Sequence, residues 1–126
     1  MFKDEGKITI YPMVPMNMML FENKMGIYCL IYDNEIVYIG QSINIGRRLR
    51  EHKNKNAIKK TIQHIIREKG QINRYKELAL YSCIEDNYND FYFAVLKLTD
   101  ELIKYEKYYI EKYQPKFNYQ GVNIPY

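Results

Sequence analysis

The chain has 126 residues, of which 47% are hydrophobic and 27% are charged, and its formal net charge is +4. This size and composition indicate one globular domain and exclude an intrinsically disordered chain. The sequence lacks an apolar run of about eighteen residues, and its first residues, MFKDEGK, lack the layout of a signal peptide, so we expect a cytoplasmic protein with no membrane partner.

Residues 1–24 are predicted to form an N-terminal arm. Lys7–Tyr11 (KITIY) alternates well enough for a short strand. The following segment, Pro12–Leu20, holds two prolines and four of the six methionines, and proline argues there against a helix or a central strand. The methionines either pack adaptably onto the domain or a second copy, or belong to a substrate-side or regulatory flap. We favour packing.

A β-hairpin is predicted directly after the arm. Gly26–Tyr32 and Glu35–Ile39 are rich in β-branched and aromatic residues, and the turn-forming pair Asp33-Asn34 separates them. Gly40 is expected to break the second strand.

Two helices are predicted after the hairpin. Ser42 or Asn44 is a credible N-cap for the first, which runs from about Ile45 into the fifties. The second covers Ala57–Lys69 and ends at Gly70. Its apolar stripe consists of Ile58, Ile62, Ile65 and Ile66.

These helices carry a concentrated positive charge. Residues 47–60 sum to +6, so the other 112 residues sum to −2. A basic stripe of this kind is the electrostatic footprint of a nucleic-acid backbone, although a solvated helix face has the same composition. The predicted nucleic-acid-binding residues are Arg47, Arg48, Arg50, Lys53, Lys55, Lys59 and Lys60.

The last third of the chain predicts a strand and a helix. Leu78–Ile84 fits a strand or a short helix, and Phe91–Leu98 reads as a strand. Thr99 or Asp100 is expected to cap a helix with an acidic first turn that continues to about Tyr113.

The element order predicts an α+β fold. Its core is a small antiparallel sheet of three strands, or of four with an extra one, flanked by three or more helices. Cys29 and Cys83 are far apart in sequence, so we expect two reduced thiols and no Cys/His zinc site.

Glu106 is out of place on the last helix. Its spacing puts it in the middle of the predicted apolar face formed by Leu102, Ile103, Tyr109, Ile110 and Tyr113. An inward carboxylate must be hydrogen-bonded, ion-paired or bound to a metal. Pairing with an arginine, such as Arg48, and ligation of Mg²⁺ are equally compatible with the spacing.

At this point the sequence resembles the GIY-YIG nuclease domain over roughly residues 25–119, which leaves 120–126 as a C-terminal tail. The resemblance rests on an ordered set of residues: Gly26-Ile27-Tyr28, Tyr38-Ile39-Gly40, Arg48, His52, Glu106, and Pro115 and Asn118 in QPKFN. It implies a small antiparallel sheet with helices of the GIY-YIG type.

The resemblance also implies a metal-dependent endonuclease that hydrolyses DNA at a single site. Tyr28 or Tyr38 would deprotonate or position the attacking water, and Arg48 would grip the phosphate. His52 would move a proton or hold phosphate, and Glu106 would hold one Mg²⁺ or Mn²⁺ ion. The supporting residues would be Gly26, Gly40, Ser42 and Asn118, with Gln41 and Ser42 beside backbone phosphate.

The sequence does not identify which form of DNA such a site would cleave. The DNA is duplex, branched or nicked, and the sequence does not decide between a monomer and a homodimer. A small phage-type or mobile-element enzyme is the expected setting. The alternative is a non-cleaving nucleic-acid-binding or regulatory module of the same fold.

Overall fold

The structure is a computed structural model that describes residues 8–67 and 75–118. None of the helices in these two ranges is both long and apolar enough to cross a bilayer. The elements in chain order are β1 (Ile10–Pro12), α1 (Pro15–Met19), β2 (Gly26–Tyr32), β3 (Glu35–Ser42), α2 (Ile45–His52), α3 (Lys55–Arg67), α4 (Tyr75–Asp86), β4 (Tyr92–Leu98) and α5 (Leu102–Tyr113).

The four strands form one antiparallel sheet in the order β1-β4-β2-β3. This confirms the predicted α+β class, and β1 is the extra strand. The hairpin between β2 and β3 turns at Asp33 and Asn34, whose φ angles are 53° and 62°. Two consecutive positive φ angles match the right-handed twist of the flanking strands, and Asn and Asp tolerate them better than most residues do.

The alternation of β2 divides the core between the two faces of the sheet. Tyr28 and Leu30 face a cluster that also includes residues of α2, α3 and α4. Ile27, Cys29 and Ile31 face a second cluster that includes Tyr109 and Ile110 of α5. β2 is buried on both faces because neighbouring strands and helices cover it completely, and this explains its uninterrupted apolar sequence.

The structure of the arm contradicts one prediction from the sequence and refines another. Proline was expected to exclude a helix here, but α1 begins at Pro15. That position has no intrahelical N–H bond to lose, so proline is tolerated there. Met13 and Met18 are buried in the core, whereas Met16 and Met19 are exposed. The strand predicted at 7–11 appears at Ile10–Pro12, and Lys7 lies outside the described residues.

The later helices differ from the sequence expectations in their details. The ambiguous segment Leu78–Ile84 lies within the helix α4. Neither Thr99 nor Asp100 caps α5, whose N-cap position is Glu101 and whose first turn contains no acidic residue. The Thr99 hydroxyl instead accepts a hydrogen bond from the Glu101 N–H at 3.0 Å.

Two residues assigned to apolar stripes in fact face solvent. Ile103 of α5 is 80% exposed, and Ile66 of α3 is also exposed. Each lies one position from a residue that turns inward, so sequence periodicity alone placed the stripe slightly too wide. The predicted end of α3 at Gly70 lies outside the described residues.

The arm holds the start of α2 in place. The Asn44 side chain caps this helix by accepting hydrogen bonds from the N–H groups of Arg47 and Asn23. The first two N–H groups of the helix, at Ile45 and Gly46, donate to backbone carbonyls of the arm. The arm thereby satisfies the helix terminus that would otherwise face solvent.

Gly46 makes this close contact possible. A Cβ atom at this position would lie 2.8 Å from the Glu22 nitrogen and 2.8 Å from the Met18 carbonyl oxygen. Both are backbone atoms, so neither can rotate away. α2 and the arm therefore approach each other at a distance that only glycine allows.

We predict that Gly46→Ala lowers the free energy of unfolding by about 1–3 kcal/mol, the usual range for overpacking a close contact. Urea denaturation followed by circular dichroism measures this change. Asn56→Ala, at an exposed position of α3, is the control and should stay within about 0.5 kcal/mol of the wild type. Equal stability of the Gly46→Ala and wild-type proteins would contradict the role of the arm as a fixed support.

Candidate active site

A cavity of about 380 Å³ opens between β3, α2, α4, α5 and the segment that follows α5. Most of its polar lining consists of residue types that bind phosphate or metal ions. The residues around it are Tyr38, Arg48, His52, Lys76, Glu77, Leu80, Tyr81, Glu106, Ile110, Phe117 and Asn118. Tyr38, Arg48, His52, Glu106 and Asn118, all predicted from the sequence, therefore border one cavity.

Tyr28 lies behind this cavity and is joined to it by His52. The Tyr28 hydroxyl is 2.7 Å from His52 Nε2, and both side chains are fully buried. Gly40, directly opposite Tyr28 in the sheet, provides the space for the phenol. A Cβ atom at Gly40 would lie 2.5 Å from the Tyr28 hydroxyl oxygen. Gly40 does not break β3, which continues to Ser42, so the strand-ending role predicted for it was wrong.

His52 is a neutral base in this setting. Burial lowers the pKa of its imidazole well below 6.5, and the positive charge of Arg48 lowers it further. A neutral imidazole has one nitrogen that accepts a hydrogen bond, and Nε2 is placed to accept the proton of the Tyr28 hydroxyl. Nδ1 is buried and has no hydrogen-bond partner among residues 8–67 and 75–118.

The two motif tyrosines lie on the same face of the sheet, with ring centroids 6.4 Å apart. Burial raises the pKa of Tyr28 well above 10.0 and that of Tyr38 to about 12, although Arg48 opposes both shifts. The nearby cation therefore does not produce a phenolate. Both phenols remain neutral hydrogen-bonding groups near neutral pH.

Arg48 reaches the cavity from the second turn of α2. Its Nη1 atom pairs with Glu51 Oε1 at 3.0 Å, and its side chain is about one third exposed. Glu51 also lies near Arg47, but the distance from Arg47 Nε to Glu51 Oε2 is longer, at 4.0 Å. Since its structural ion pair is with Glu51, the guanidinium does not account for the inward position of Glu106.

Glu106 lies half-buried at the cavity wall, where Gln41 Nε2 donates a hydrogen bond to its Oε1 atom at 3.2 Å. Burial raises the pKa of this carboxyl, and the bond from Gln41 only partly offsets that effect. A cation beside the carboxylate would relieve this desolvation cost. A hard oxygen ligand facing an open cavity suits Mg²⁺, which retains several waters when bound to proteins, so the residues present fit such an ion.

Asn118 fastens the segment after α5 to the edge of the sheet. Its Oδ1 atom accepts a hydrogen bond from the Ile39 N–H at 2.7 Å, and its Nδ2 atom donates to the Ile39 carbonyl at 2.8 Å. The Phe117 N–H also donates to the Val37 carbonyl. The amide thus extends the ladder on the outer side of β3, between Tyr38 and Gly40, and this placement suits a brace.

The two remaining supporting residues lie at the end of the hairpin near α2. Gly26 pairs with Ser42 on one side and with Leu98 on the other. The Ser42 hydroxyl accepts a hydrogen bond from the Asn44 N–H at 2.9 Å, so Asn44, and not Ser42, is the cap of α2.

The predicted nucleic-acid-binding residues are dispersed rather than gathered at the cavity. Arg48 borders it, while Arg50 pairs with Glu22 at 2.7 Å. The Nζ atoms of Lys53 and Lys55 lie 3.6 Å and 4.6 Å, respectively, from the centroid of the Tyr88 ring. The three others, Arg47, Lys59 and Lys60, are exposed on α2 and α3.

Sequence reasoning missed three polar residues of the cavity, all from α4. Lys76, Glu77 and Tyr81 border it, and the Lys76 ammonium also donates to the Lys116 carbonyl. The polar residues at the start of α4 and Tyr81 one turn later share a helix face, which is the available signal. That signal requires knowing that the segment is helical.

Comparisons with known proteins agree with this geometry. A model of the GIY-YIG catalytic domain matches residues 24–120. The GIY-YIG N-terminal endonuclease domain of UvrC from Thermotoga maritima, bound to magnesium, is similar with 20% identity and a TM-score of 0.51, over 82% of this chain and 93% of that chain.

Two tyrosine-to-phenylalanine variants of that UvrC domain, each bound to its catalytic divalent cation, are similar as well. They have 19% and 20% identity and a TM-score of 0.51, over 83% of this chain and 93% of theirs. This likeness establishes the shared fold. None of the curated proteins matches the sequence.

We predict that His52 makes stability depend on pH below its unfolded-state pKa. Because the folded-state pKa lies below 6.5, the unfolded state binds more protons, and the free energy of unfolding falls as pH falls below about 6.5. The slope for one proton is at most about 1.4 kcal/mol per pH unit. Urea denaturation of wild type and His52→Gln between pH 4.5 and 7.5 measures the difference.

The exposed His64 provides the matched control, with the variant His64→Gln measured over the same pH range. Glu106 contributes with the opposite sign, since its pKa is raised, but its contribution cancels when variant and wild type are compared. Parallel stability curves for wild type and His52→Gln would contradict a buried neutral imidazole.

Proposed function

The chain belongs to the GIY-YIG family of catalytic domains, and from that premise we propose that it is a metal-dependent endonuclease that hydrolyses phosphodiester bonds of DNA. One observation carries the proposal. A half-buried carboxylate, Glu106, borders the same cavity as Arg48 and the imidazole that is hydrogen-bonded to Tyr28. A module that only binds DNA has no need for an inward carboxylate with a raised pKa.

Arg48 binds the scissile phosphate. Its guanidinium borders the cavity and presents a planar set of donors that matches two non-bridging oxygens. The ion pair with Glu51 is solvent-exposed, so its loss to a phosphate costs little. Binding at this position brings the phosphate close to the Tyr28 hydroxyl, which neighbours Arg48.

Tyr28 and His52 accept the proton of the attacking water. In the substrate complex the attacking water must reach the Tyr28 oxygen, which is fully buried in the free protein; as the water gives its proton to that oxygen, the phenolic proton passes to His52 Nε2, 2.7 Å away. The phenol remains neutral throughout, which avoids the phenolate that burial makes unfavourable. The negative charge that develops on the phosphate offsets the charge of the imidazolium.

Tyr38 and Glu106 act from the cavity wall. The Tyr38 phenol, with a pKa of about 12, is a neutral donor that can hold the water or a phosphate oxygen in place. One Mg²⁺ or Mn²⁺ ion held by Glu106 would supply positive charge to the phosphate and to the leaving oxygen. Gln41 orients the carboxylate by its hydrogen bond to Oε1.

The substrate is DNA in duplex, branched or nicked form. The exposed cations Arg47, Lys59 and Lys60 lie on the helices next to Arg48 and can contact the phosphate backbone outside the cavity. Such contacts give affinity that is independent of sequence and sensitive to salt. We therefore propose the chemistry of cleavage without a recognition sequence.

We predict that Glu106→Gln lowers the rate of cleavage of supercoiled plasmid by at least about a hundredfold, since removal of one electrostatic stabiliser of the transition state costs about 2.7–4 kcal/mol. Cleavage is measured with Mg²⁺, with Mn²⁺ and with EDTA. Glu111→Gln, at an exposed position of the same helix, should cleave at the wild-type rate. Equal activity of wild type and Glu106→Gln, or cleavage in EDTA, would refute metal-dependent cleavage at this site.

We predict different pH profiles for the two tyrosine variants. The wild-type kcat/KM should fall with decreasing pH only below pH 6.5, as His52 becomes protonated and ceases to accept a proton. Tyr28→Phe should lose about 10²–10⁴-fold in activity together with this acid limb, because the relay is gone. Tyr38→Phe should lower kcat and retain the limb. If Tyr28→Phe cleaves at the wild-type rate with an unchanged profile, the relay is wrong.

A further inference from the structure

Three tyrosine rings surround the His52 imidazole. Their centroids lie 5.8 Å (Tyr28), 5.6 Å (Tyr38) and 6.0 Å (Tyr81) from the imidazole centroid. Two of these rings belong to the paired strands of the hairpin. The third comes from α4, in a part of the chain to which sequence analysis assigned no role.

Tyr81 covers the imidazole in a different way from its neighbours. Its ring is inclined by 32° to the imidazole plane, whereas the Tyr38 ring meets the imidazole nearly edge-on, at 68°. Tyr81 also borders the cavity while being only 7% exposed. Its ring therefore lies both against His52 and at the wall that a substrate would face.

This cover has a consequence for the protonation of His52. The groups that face the imidazole are the phenols of Tyr28 on β2, Tyr38 on β3 and Tyr81 on α4, and the charged neighbour is Arg48 on α2. Nδ1 is buried and finds no hydrogen-bond partner in the part of the chain that the structure describes. A proton added to this ring would create a cation beside an arginine, in a site that aromatic carbon shields from water.

The Tyr81 phenol also influences the phosphate-binding group. Burial lowers the pKa of Arg48, but the neighbouring phenols, Tyr28 first and then Tyr81, more than offset this and the pKa is raised. Tyr81 thus lies close to both the proton acceptor and the guanidinium. It belongs to the environment of the site rather than to the distant core.

We propose that Tyr81 is a positioning residue of the nuclease site, which shields the His52 imidazole from water and keeps it as the proton acceptor for Tyr28. This inference rests on the proposed function. The ring performs this role and the hydroxyl does not, so the two parts of the side chain can be tested separately.

The experiment uses the two histidines of the chain as probes. The imidazole signals of His52 and His64 are followed by NMR from pH 4.5 to 8, with His64→Gln to assign them. The acid limb of kcat/KM for plasmid cleavage with Mg²⁺ is measured in parallel. The variants are Tyr81→Leu and Tyr81→Met, which remove the ring, and Tyr81→Phe, which retains it.

We expect both ring-removing variants to raise the pKa of His52 by at least about one unit, since hydration restores the charged form. The acid limb of kcat/KM should move upward by the same amount, with KM unchanged. Tyr81→Phe should retain the wild-type pKa and limb. Tyr81→Met fills more of the vacated space and provides the measurement if Tyr81→Leu does not fold.

Phe91→Leu is the matched control. Phe91 is a buried aromatic residue of the same core cluster, and it does not border the cavity. Its substitution should lower stability comparably and leave the pKa of His52 in place.

Three results would overturn the inference. In the first, the ring-removing variants leave the pKa of His52 and the acid limb of kcat/KM unchanged. In the second, Tyr81→Phe shifts them as much as Tyr81→Leu does. In the third, Phe91→Leu shifts them equally. Absence of cleavage by the wild type refutes the proposed function instead, and the NMR titration still tests whether Tyr81 shields His52.

Discussion

The hydrogen bond between the Tyr28 hydroxyl and His52 Nε2 is the interaction on which the site depends. It joins the central strand to the last turn of α2 inside a core that excludes water from both side chains. In such surroundings an unpaired phenol hydroxyl would be costly, so the bond favours the rotation of α2 that brings His52 to Tyr28. Arg48, one turn earlier on that helix, is consequently directed toward the cavity.

Other parts of the fold can be understood as supports for this bond. Gly40 leaves room for the phenol, and Asn118 holds the backbone of β3 on the opposite edge. The arm satisfies the first N–H groups of α2 and packs against it at Gly46. Because its N-terminus is covered by protein, α2 offers phosphate its side chains and not its helix dipole.

Burial determines the chemical character of each group in the cavity. It keeps both phenols and the imidazole neutral, and it makes the Glu106 carboxylate costly to ionise. The pKa of Arg48 is raised despite burial, because the neighbouring phenols more than offset the desolvation of the guanidinium, so this group stays charged. A site with neutral proton carriers, the guanidinium of Arg48 and the desolvated carboxylate of Glu106 is suited to a substrate that brings negative charge and to a metal ion that balances it.

The sequence by itself determined the hairpin, the basic helix and the inward position of Glu106, because turn chemistry and helical periodicity are local properties. Tyr28 and Tyr38 share a face because of the register shift between Leu30 and Ile31, which regular strand alternation through the Asp33-Asn34 turn does not predict. Only the tertiary structure decided that His52 is buried, that Gln41 bonds to Glu106, and that α4 brings Tyr81 to the site. These facts depend on which helix packs across the cavity, and that is settled by contacts between residues far apart in the chain.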